Sequence, residues 1–260
     1  MNFTRILYRQ EGRKAIITLN RPEKRNALDE TMVAELTGAF LAAGREPSVK
    51  VALLCAAGPA FCAGADLEYL QRIADQSLEA NREDSGKLAS LFRTIYELRK
   101  PVIAVVQGPA LAGGCGLATV CDFILAGETR SQFGYTEAHI GFVPAVVMTF
   151  LIRRVGEGRA RELTLRGHLL SAREAFAIGL VSNVVSDEVL SAEADKLAEI
   201  LMSENSGTSM ALTKELIAKL GGLNLVDGLD FASNLNAAAR MTPDCRSGIG
   251  NFLLHKNQEW

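Results

Sequence analysis

The feature that most constrains this chain is a unit that occurs twice: an apolar run, a loop made almost wholly of small side chains, then a helical pattern. The first copy passes from residues 49–55 through Gly58-Pro-Ala-Phe61-Cys62-Ala63-Gly64-Ala65-Asp66-Leu67. The second passes from residues 102–106 through Gly108-Pro-Ala-Leu-Ala-Gly113-Gly114-Cys115-Gly116. A short, mainly apolar run between turn residues reads as a strand buried on both faces, as in a parallel sheet covered by helices. Small residues in the joining loops let a ligand approach the main chain, so the two loops are candidates to converge on one site. The expected class is α/β.

Around these units the pattern predicts further elements. Apolar alternation over 6–8 and 15–19, with Glu11 and Gly12 at the bend, reads as an antiparallel hairpin. Asp29 is placed to cap a helix over 30–43, where Met32, Leu36, Ala39 and Phe40 recur at helical spacing. Residues 67–99 read as two helices, because the polar stretch 75–86 interrupts the apolar face and predicts a mobile middle. A short strand is expected at 123–126. Beyond Pro144 helices are expected at 146–155, 158–165, 172–178, 189–203, 208–220, 226–239 and 243–256, with one strand at 180–185. No Pro/Ser-rich linker divides the chain. The expected organisation is a core domain over 1–195 followed by a helical region over 196–260 suited to oligomerisation.

Composition excludes several classes. The 28 basic side chains against 30 acidic ones leave a net charge of −2, which argues against nucleic acid as a partner. With 48% hydrophobic and 22% charged residues, the 260-residue chain is globular rather than disordered. The longest apolar stretch, 142–152, contains Pro144 and Thr149 and falls short of the ~20 residues that cross a bilayer, so no membrane role is expected. Residues 1–14 scatter Arg5, Arg9, Glu11 and Arg13 without a secretory pattern, and a cytoplasmic location is the expectation. Cys55, Cys62, Cys115, Cys121 and Cys245 are odd in number and form no C-x-x-C pair, and so read as reduced. His139, His168 and His255 lack metal-ligand spacing, so no metal site is expected.

The glycine-rich segment 108–116 is not a phosphate cradle. A P-loop needs Lys and Ser/Thr where this chain has Gly114 and Cys115, and no G-x-G-x-x-G spacing fits. Its glycines either allow close helix–strand packing or expose a backbone N–H to a developing oxyanion. Asp66 reads as a helix cap before it reads as a catalytic acid. The arginines between 153 and 173 read as a solvated or interface face. Gly207-Thr208-Ser209-Met210-Ala211 ends in alanine and misses the G-x-S-x-G elbow, which disfavours a serine hydrolase.

Further motifs follow in a fixed order. They are Asn20-Arg21-Pro22, Arg25-Asn26-Ala27-Leu28, Ala60 to Leu67, Gly108 with Leu111 to Cys115, and Cys121-Asp122. Phe133-Gly134 with Glu137, Gly141 to Pro144, Thr242-Pro243-Asp244 and Phe252 complete the series. In this order they resemble the enoyl-CoA hydratase/isomerase, or crotonase, superfamily along essentially the whole chain. The resemblance implies a spiral of repeated ββα units with a helical C-terminal extension, assembled as a homotrimer or homohexamer. It implies an acyl-CoA thioester substrate and no cofactor beyond the coenzyme A that the substrate carries. The thioester oxygen would sit between the N–H groups of Ala65 and Gly113, with Gly114 beside them. Arg25, Asn26 and Ala27, with Ala63, Asp66 and Leu67, would line the coenzyme A, and Lys24 or Arg25 would meet its phosphates. Phe252 and His255 match tail positions that reach a neighbouring subunit's coenzyme A pocket, with core packing as the alternative for Phe252.

In one respect the chain departs from that pattern. The resemblance implies two glutamates for hydration, one directly after Gly-Gly-Cys and one in the later Phe-Gly segment. This chain has Gly116 at the first position and Glu137 at the second, which makes Glu137 the candidate proton-transfer residue. One carboxylate suffices to move a double bond, whereas hydration without its second group typically loses ~10²- to 10⁴-fold. Glu68, Glu128 and Tyr135 are the candidate substitutes. The segments 133–137 and 140–144 are similar to methylglutaconyl-CoA-type hydratases. The expected activity is reversible hydration of a 2-enoyl-CoA. The alternatives are double-bond isomerisation, then decarboxylation or thioester hydrolysis, and, from another class, a non-catalytic acyl-CoA-binding protein.

Overall fold

The computed structural model describes residues 3–256 and Trp260. Its first strands are β1 (Ile6–Glu11) and β2 (Lys14–Leu19), which pair antiparallel across Gly12 at φ +56°. Then come β3 (Val51–Ala56), β4 (Val102–Val106), β5 (Ala110–Leu111), β6 (Phe123–Gly127), β7 (Gln132–Gly134), β8 (Leu170–Ser171) and β9 (Asn183–Val185). The larger sheet has the order β1-β2-β3-β4-β6-β9 and is parallel from β2 onward. The smaller sheet has the order β5-β7-β8. Successive units thus send one strand to each sheet, β4 with β5 and β6 with β7.

The helices are α1 (Glu30–Arg45), α2 (Leu67–Ala74), α3 (Leu78–Tyr96), α4 (Gly113–Thr119), α5 (Ala145–Arg166) and α6 (Ala172–Ala177). They continue as α7 (Leu190–Ser203), α8 (Gly207–Leu220), α9 (Leu225–Met241) and α10 (Pro243–Leu253). Every residue of β4 is buried, because both faces of the sheet are covered. Ile17, Leu54, Ala104 and Val106 meet Met32, Leu36 and Phe40 of α1 and Leu91, Phe92 and Ile95 of α3 on one side. Their neighbours Ile16, Leu53, Ile103 and Val105 point the other way, onto Leu190, Ala194 and Ala198 of α7. Each of the larger aliphatic and aromatic side chains among them contributes about 1.5–3 kcal/mol of transfer free energy. Helix α7 straddles residue 195, and its inner face stays packed on the sheet as far as Met202.

Local chemistry sets the boundaries. Asp29 caps α1 by accepting from the Met32 N–H at 2.8 Å, Asp66 caps α2 and Ser77 caps α3. The two helices expected over 67–99 are present as α2 and α3; only residues 75–77 separate them, and the polar residues from 78 onward form the outer side of a helix that buries Leu91, Phe92 and Ile95. The expected helices 146–155 and 158–165 form one element, α5, kinked at Gly156, where φ is +77°. In the expected strand 180–185 only residues 183–185 pair, since the N–H groups of Leu180 and Val181 turn back to the Ala175 carbonyl. Beyond α7, Lys214 of α8 pairs with Asp122, which also accepts from the Val102 N–H at 2.7 Å. Helices α9 and α10 leave Leu225, Val226, Leu229, Leu253 and Phe252 exposed. Among the described residues no helix is long and apolar enough to cross a membrane.

One side chain fixes the loops that follow β2 and β3. Asn26, fully buried, accepts from the Arg21 N–H at 2.8 Å and donates to the carbonyls of Ala57 and Ala60 at 2.8 and 2.9 Å. Asn26→Ala leaves the Arg21 N–H and the Ala57 carbonyl unpaired, while the Ala60 carbonyl keeps the Gln107 amide at 3.2 Å. It is expected to destabilise the fold by at least ~1–3 kcal/mol, the penalty of one unsatisfied buried group, as read from urea unfolding midpoints.

Candidate active site

The two small-residue loops cross. Leu111 N–H donates to the Cys62 carbonyl at 2.9 Å, Leu28 N–H to Gly64 at 2.8 Å, and Asp66 N–H to Leu28 at 2.9 Å. A Cβ at Gly64, where φ is +92°, would lie 2.9 Å from the Ala112 Cβ and 3.0 Å from the Leu111 oxygen. A Cβ at Gly114 would lie 2.2 Å from the Cys62 oxygen. Only hydrogen fits at either place. Between them Ala112 is held at φ +50° and ψ −126°, a sparsely populated conformation that costs a non-glycine residue ~1–3 kcal/mol, while its N–H donates to the Gly134 carbonyl at 2.7 Å.

The crossing leaves two backbone donors side by side. The N–H of Gly113, in the first turn of α4, and the N–H of Ala65 donate to no acceptor among the described residues. A Cβ built on Gly113 would lie 4.0 Å from the Ala65 nitrogen. Both residues line a cavity of about 340 Å³, whose walls carry Leu70, Ile73, Leu88 and Val146.

Glu137 lines the same cavity. It opens the 3-10 turn Glu137–Ile140 that follows β7, and is only 6% exposed. Its Oε2 is buried without a hydrogen-bond partner from the protein. Burial pushes its carboxyl above the ordinary carboxylate range, offset only in part by its own backbone N–H. A buried carboxyl with a raised pKa and no cation partner is the kind of group that gives and takes protons near neutrality.

The position of the missing second glutamate is closed. A Cβ on Gly116 would lie 2.1 Å from Val147 Cγ1 and 3.1 Å from Phe92 Cε2, so α5 and α3 fill the space that a side chain would need. The three expected substitutes are not brought to the cavity. Glu68 is exposed and paired with Lys24 at 2.9 Å, Glu128 is paired with Arg173, and Tyr135 is buried with its hydroxyl 2.7 Å from Thr119 Oγ1.

Of the other expected site residues, Ala63 and Leu67 line the cavity, as Ala65 and Gly113 do. Asn26 and Ala27 are buried, and Asp66 caps α2 while pairing with Arg21 at 2.7 Å. Gly114 is packed beneath Cys62, and Arg25 is exposed with φ +50°. Phe252 is 80% exposed, and neither it nor His255 lies on this chain's cavity. Sequence reasoning missed Tyr69 and Asp84, which line the cavity and are hydrogen-bonded to each other. No motif marks them, and they lie on two different helices, so no local spacing could have brought them together.

Comparison with known proteins gives the family and the fold. The profile of the family described as enoyl-CoA hydratase/isomerase matches residues 10–260. This chain belongs to that family. A provisionally named enoyl-CoA hydratase of Thermus thermophilus is 42% identical over 244 residues, spanning 94% of this chain and 96% of its own. A crotonyl-CoA hydratase of Syntrophomonas wolfei is 37% identical over 259 residues, spanning 97% and 96%. The crystal structure of an enoyl-CoA hydratase from Mycobacterium smegmatis superposes with a TM-score of 0.92 at 30% identity, covering 99% of both chains. The fold is the crotonase fold, and the protein is an enzyme of the hydratase/isomerase family.

Within this family member, Gly116 is a packing position. Gly116→Ala is expected to cost ~1–3 kcal/mol through overpacking against Val147, with part of the loss restored by adding Val147→Ala. Thermal unfolding of the single and double variants checks this.

Proposed function

We propose that this enzyme reversibly hydrates a 2-enoyl-CoA. The observation that carries the reading is the placement of Glu137 in one cavity with the free N–H groups of Ala65 and Gly113. The thioester oxygen accepts from both N–H groups, which stabilise the enolate formed when water adds to the β-carbon. One such donor is worth ~2.7–4 kcal/mol in other enzymes. Glu137 supplies the proton to the α-carbon. Ala63 and Leu67 flank the coenzyme A limb, with Arg25 and Lys24 outside them for its phosphates. Asn26, Ala27, Asp66 and Gly114 act by shaping the loops. The chemistry consists of proton transfers and one addition, so it draws on no cofactor or metal. The relatives named for enoyl-CoA and crotonyl-CoA hydration support the same reaction.

The filled space at Gly116 favours a second reading, double-bond isomerisation by Glu137 alone. The exposed apolar side chains of α9 and α10 support the residues beyond 195 as a homotrimer or homohexamer contact, and the five free cysteines suit a cytoplasmic location.

Hydration of crotonyl-CoA is expected to abolish the ultraviolet absorbance of the conjugated thioester and add one water by mass, and Glu137→Gln is expected to slow it ~10²- to 10⁴-fold. A gain of conjugation from a 3-enoyl-CoA, without change of mass, establishes the isomerase instead.

The raised pKa of Glu137 also predicts the pH dependence of stability. Below the unfolded carboxyl's value of ~4.3 both states are protonated and the group is neutral in its effect. As pH rises through the raised folded value, the unfolded state ionises more readily and the folded state loses stability. Glu137→Gln is therefore expected to unfold at a higher temperature than wild type at neutral pH, with the difference vanishing below about pH 4.

A further inference from the structure

Hydration requires a group to receive the proton of the attacking water, and position 116 has no room for one. Besides Glu137, the carboxylates on the cavity wall are Asp29, Glu30 and Asp84. Asp29 caps α1 and pairs with Arg5 and Arg21, and Glu30 pairs with Lys87. Asp84 differs from both. Among the described residues no lysine or arginine pairs with it, and the group bonded to it is the Tyr69 hydroxyl, which donates to Oδ1. Tyr69 is itself set in place by the oxyanion loop, since its backbone N–H donates at 3.1 Å to Asp66, the residue that follows Ala65. The couple stands on the wall formed by α2 and α3, beside the apolar Leu70, Ile73 and Leu88 and the polar Asn81 and Ser85.

We propose that Tyr69 and Asp84 are the second proton-handling couple of this enzyme and take over what a glutamate at position 116 would do. The inference rests on the hydratase reading. The water oxygen bonds to the β-carbon as one O–H bond breaks, and that proton passes to the Tyr69 oxygen while Tyr69 gives its own to the Asp84 carboxylate. The π electrons move through the enolate held by Ala65 and Gly113, and the α-carbon takes the proton of the Glu137 carboxyl. Asp84 then returns a proton to Glu137 through solvent. The sum is one water added, with nothing oxidised or reduced. Burial and the neighbouring Asp84 hold the Tyr69 phenol above its ordinary pKa, so it serves as a relay and not as a standing phenolate.

The test compares Tyr69→Phe, Asp84→Asn and Glu137→Gln with wild type in two reactions. Hydration of crotonyl-CoA calls on both proton-handling sites, whereas exchange of an α-proton of butyryl-CoA with deuterated solvent calls only on the two N–H groups and Glu137. Tyr69→Phe and Asp84→Asn are expected to lower kcat for hydration ~10²- to 10⁴-fold with KM little changed, and to keep the wild-type exchange rate. Glu137→Gln is expected to lose both. Hydration at the wild-type rate in both variants overturns the proposal, as does a rise in KM alone, which marks a binding role. Loss of exchange together with hydration also overturns it, because it marks a merely structural role. Failure of the hydratase reading is distinct: wild type itself then exchanges the α-proton and does not hydrate crotonyl-CoA, and the proposal falls with it.

Discussion

The close crossing of the loops after β3 and β4 is the constraint on which the rest of the site depends. It is possible because Gly64, Gly108 and Gly114 lack side chains. A Cβ at Gly108 would sit 1.9 Å from the Pro59 oxygen, and those at Gly64 and Gly114 would be equally excluded. Once the backbones touch, the hydrogen bonds between Leu111 and Cys62 and between Leu28 and Gly64 lock them, and Ala112 is held in a strained conformation. Two N–H groups with no acceptor among the described residues are left on the cavity wall. The buried amide of Asn26 ties the same region to the end of β3, so the rigidity of the site is drawn from the core sheet.

Electrostatics divides the carboxylates into two kinds. Burial pushes Asp66 upward, but hydrogen bonds from Arg21 and the Tyr69 N–H outweigh it and bring the carboxyl below its ordinary range. Asp122 is paired with Lys214, and Asp29 with Arg5 and Arg21, so these carboxylates serve the structure. Glu137 has burial without a cation, which leaves its proton available to chemistry. Asp84 belongs with neither set, since its partner is a phenol. Two proton-handling groups in one cavity, one on the turn after β7 and one bridging α2 and α3, suit an addition that must both take and give a proton.

Much of this architecture was legible in the chain. The caps Asp29 and Asp66 follow from local hydrogen bonding, and buried strands such as 102–106 from their uninterrupted apolar character. The two crossing loops were marked by their small residues, and Glu137 by its place after Phe133-Gly134. Strands β5, β7 and β8 were invisible because two or three residues carry no period. The polar stretch 75–86 hid where the second helix starts, because solvent-facing helix and loop share a composition, and the apolar residues that anchor α3, Leu91 to Ile95, lie at its far end.

The sequence by itself determined that this chain is an α/β protein with two small-residue loops, a glutamate after a Phe-Gly strand and no side chain at position 116, because each of these is a property of local residue types. The tertiary structure decided what those features meet. It put the N–H of Ala65 beside Gly113, closed the space over Gly116 with Val147 and Phe92, and bonded Tyr69 to Asp84 in the cavity that holds Glu137. These are contacts between segments far apart in the chain, selected by which side chains can pack together, and no local spacing encodes them.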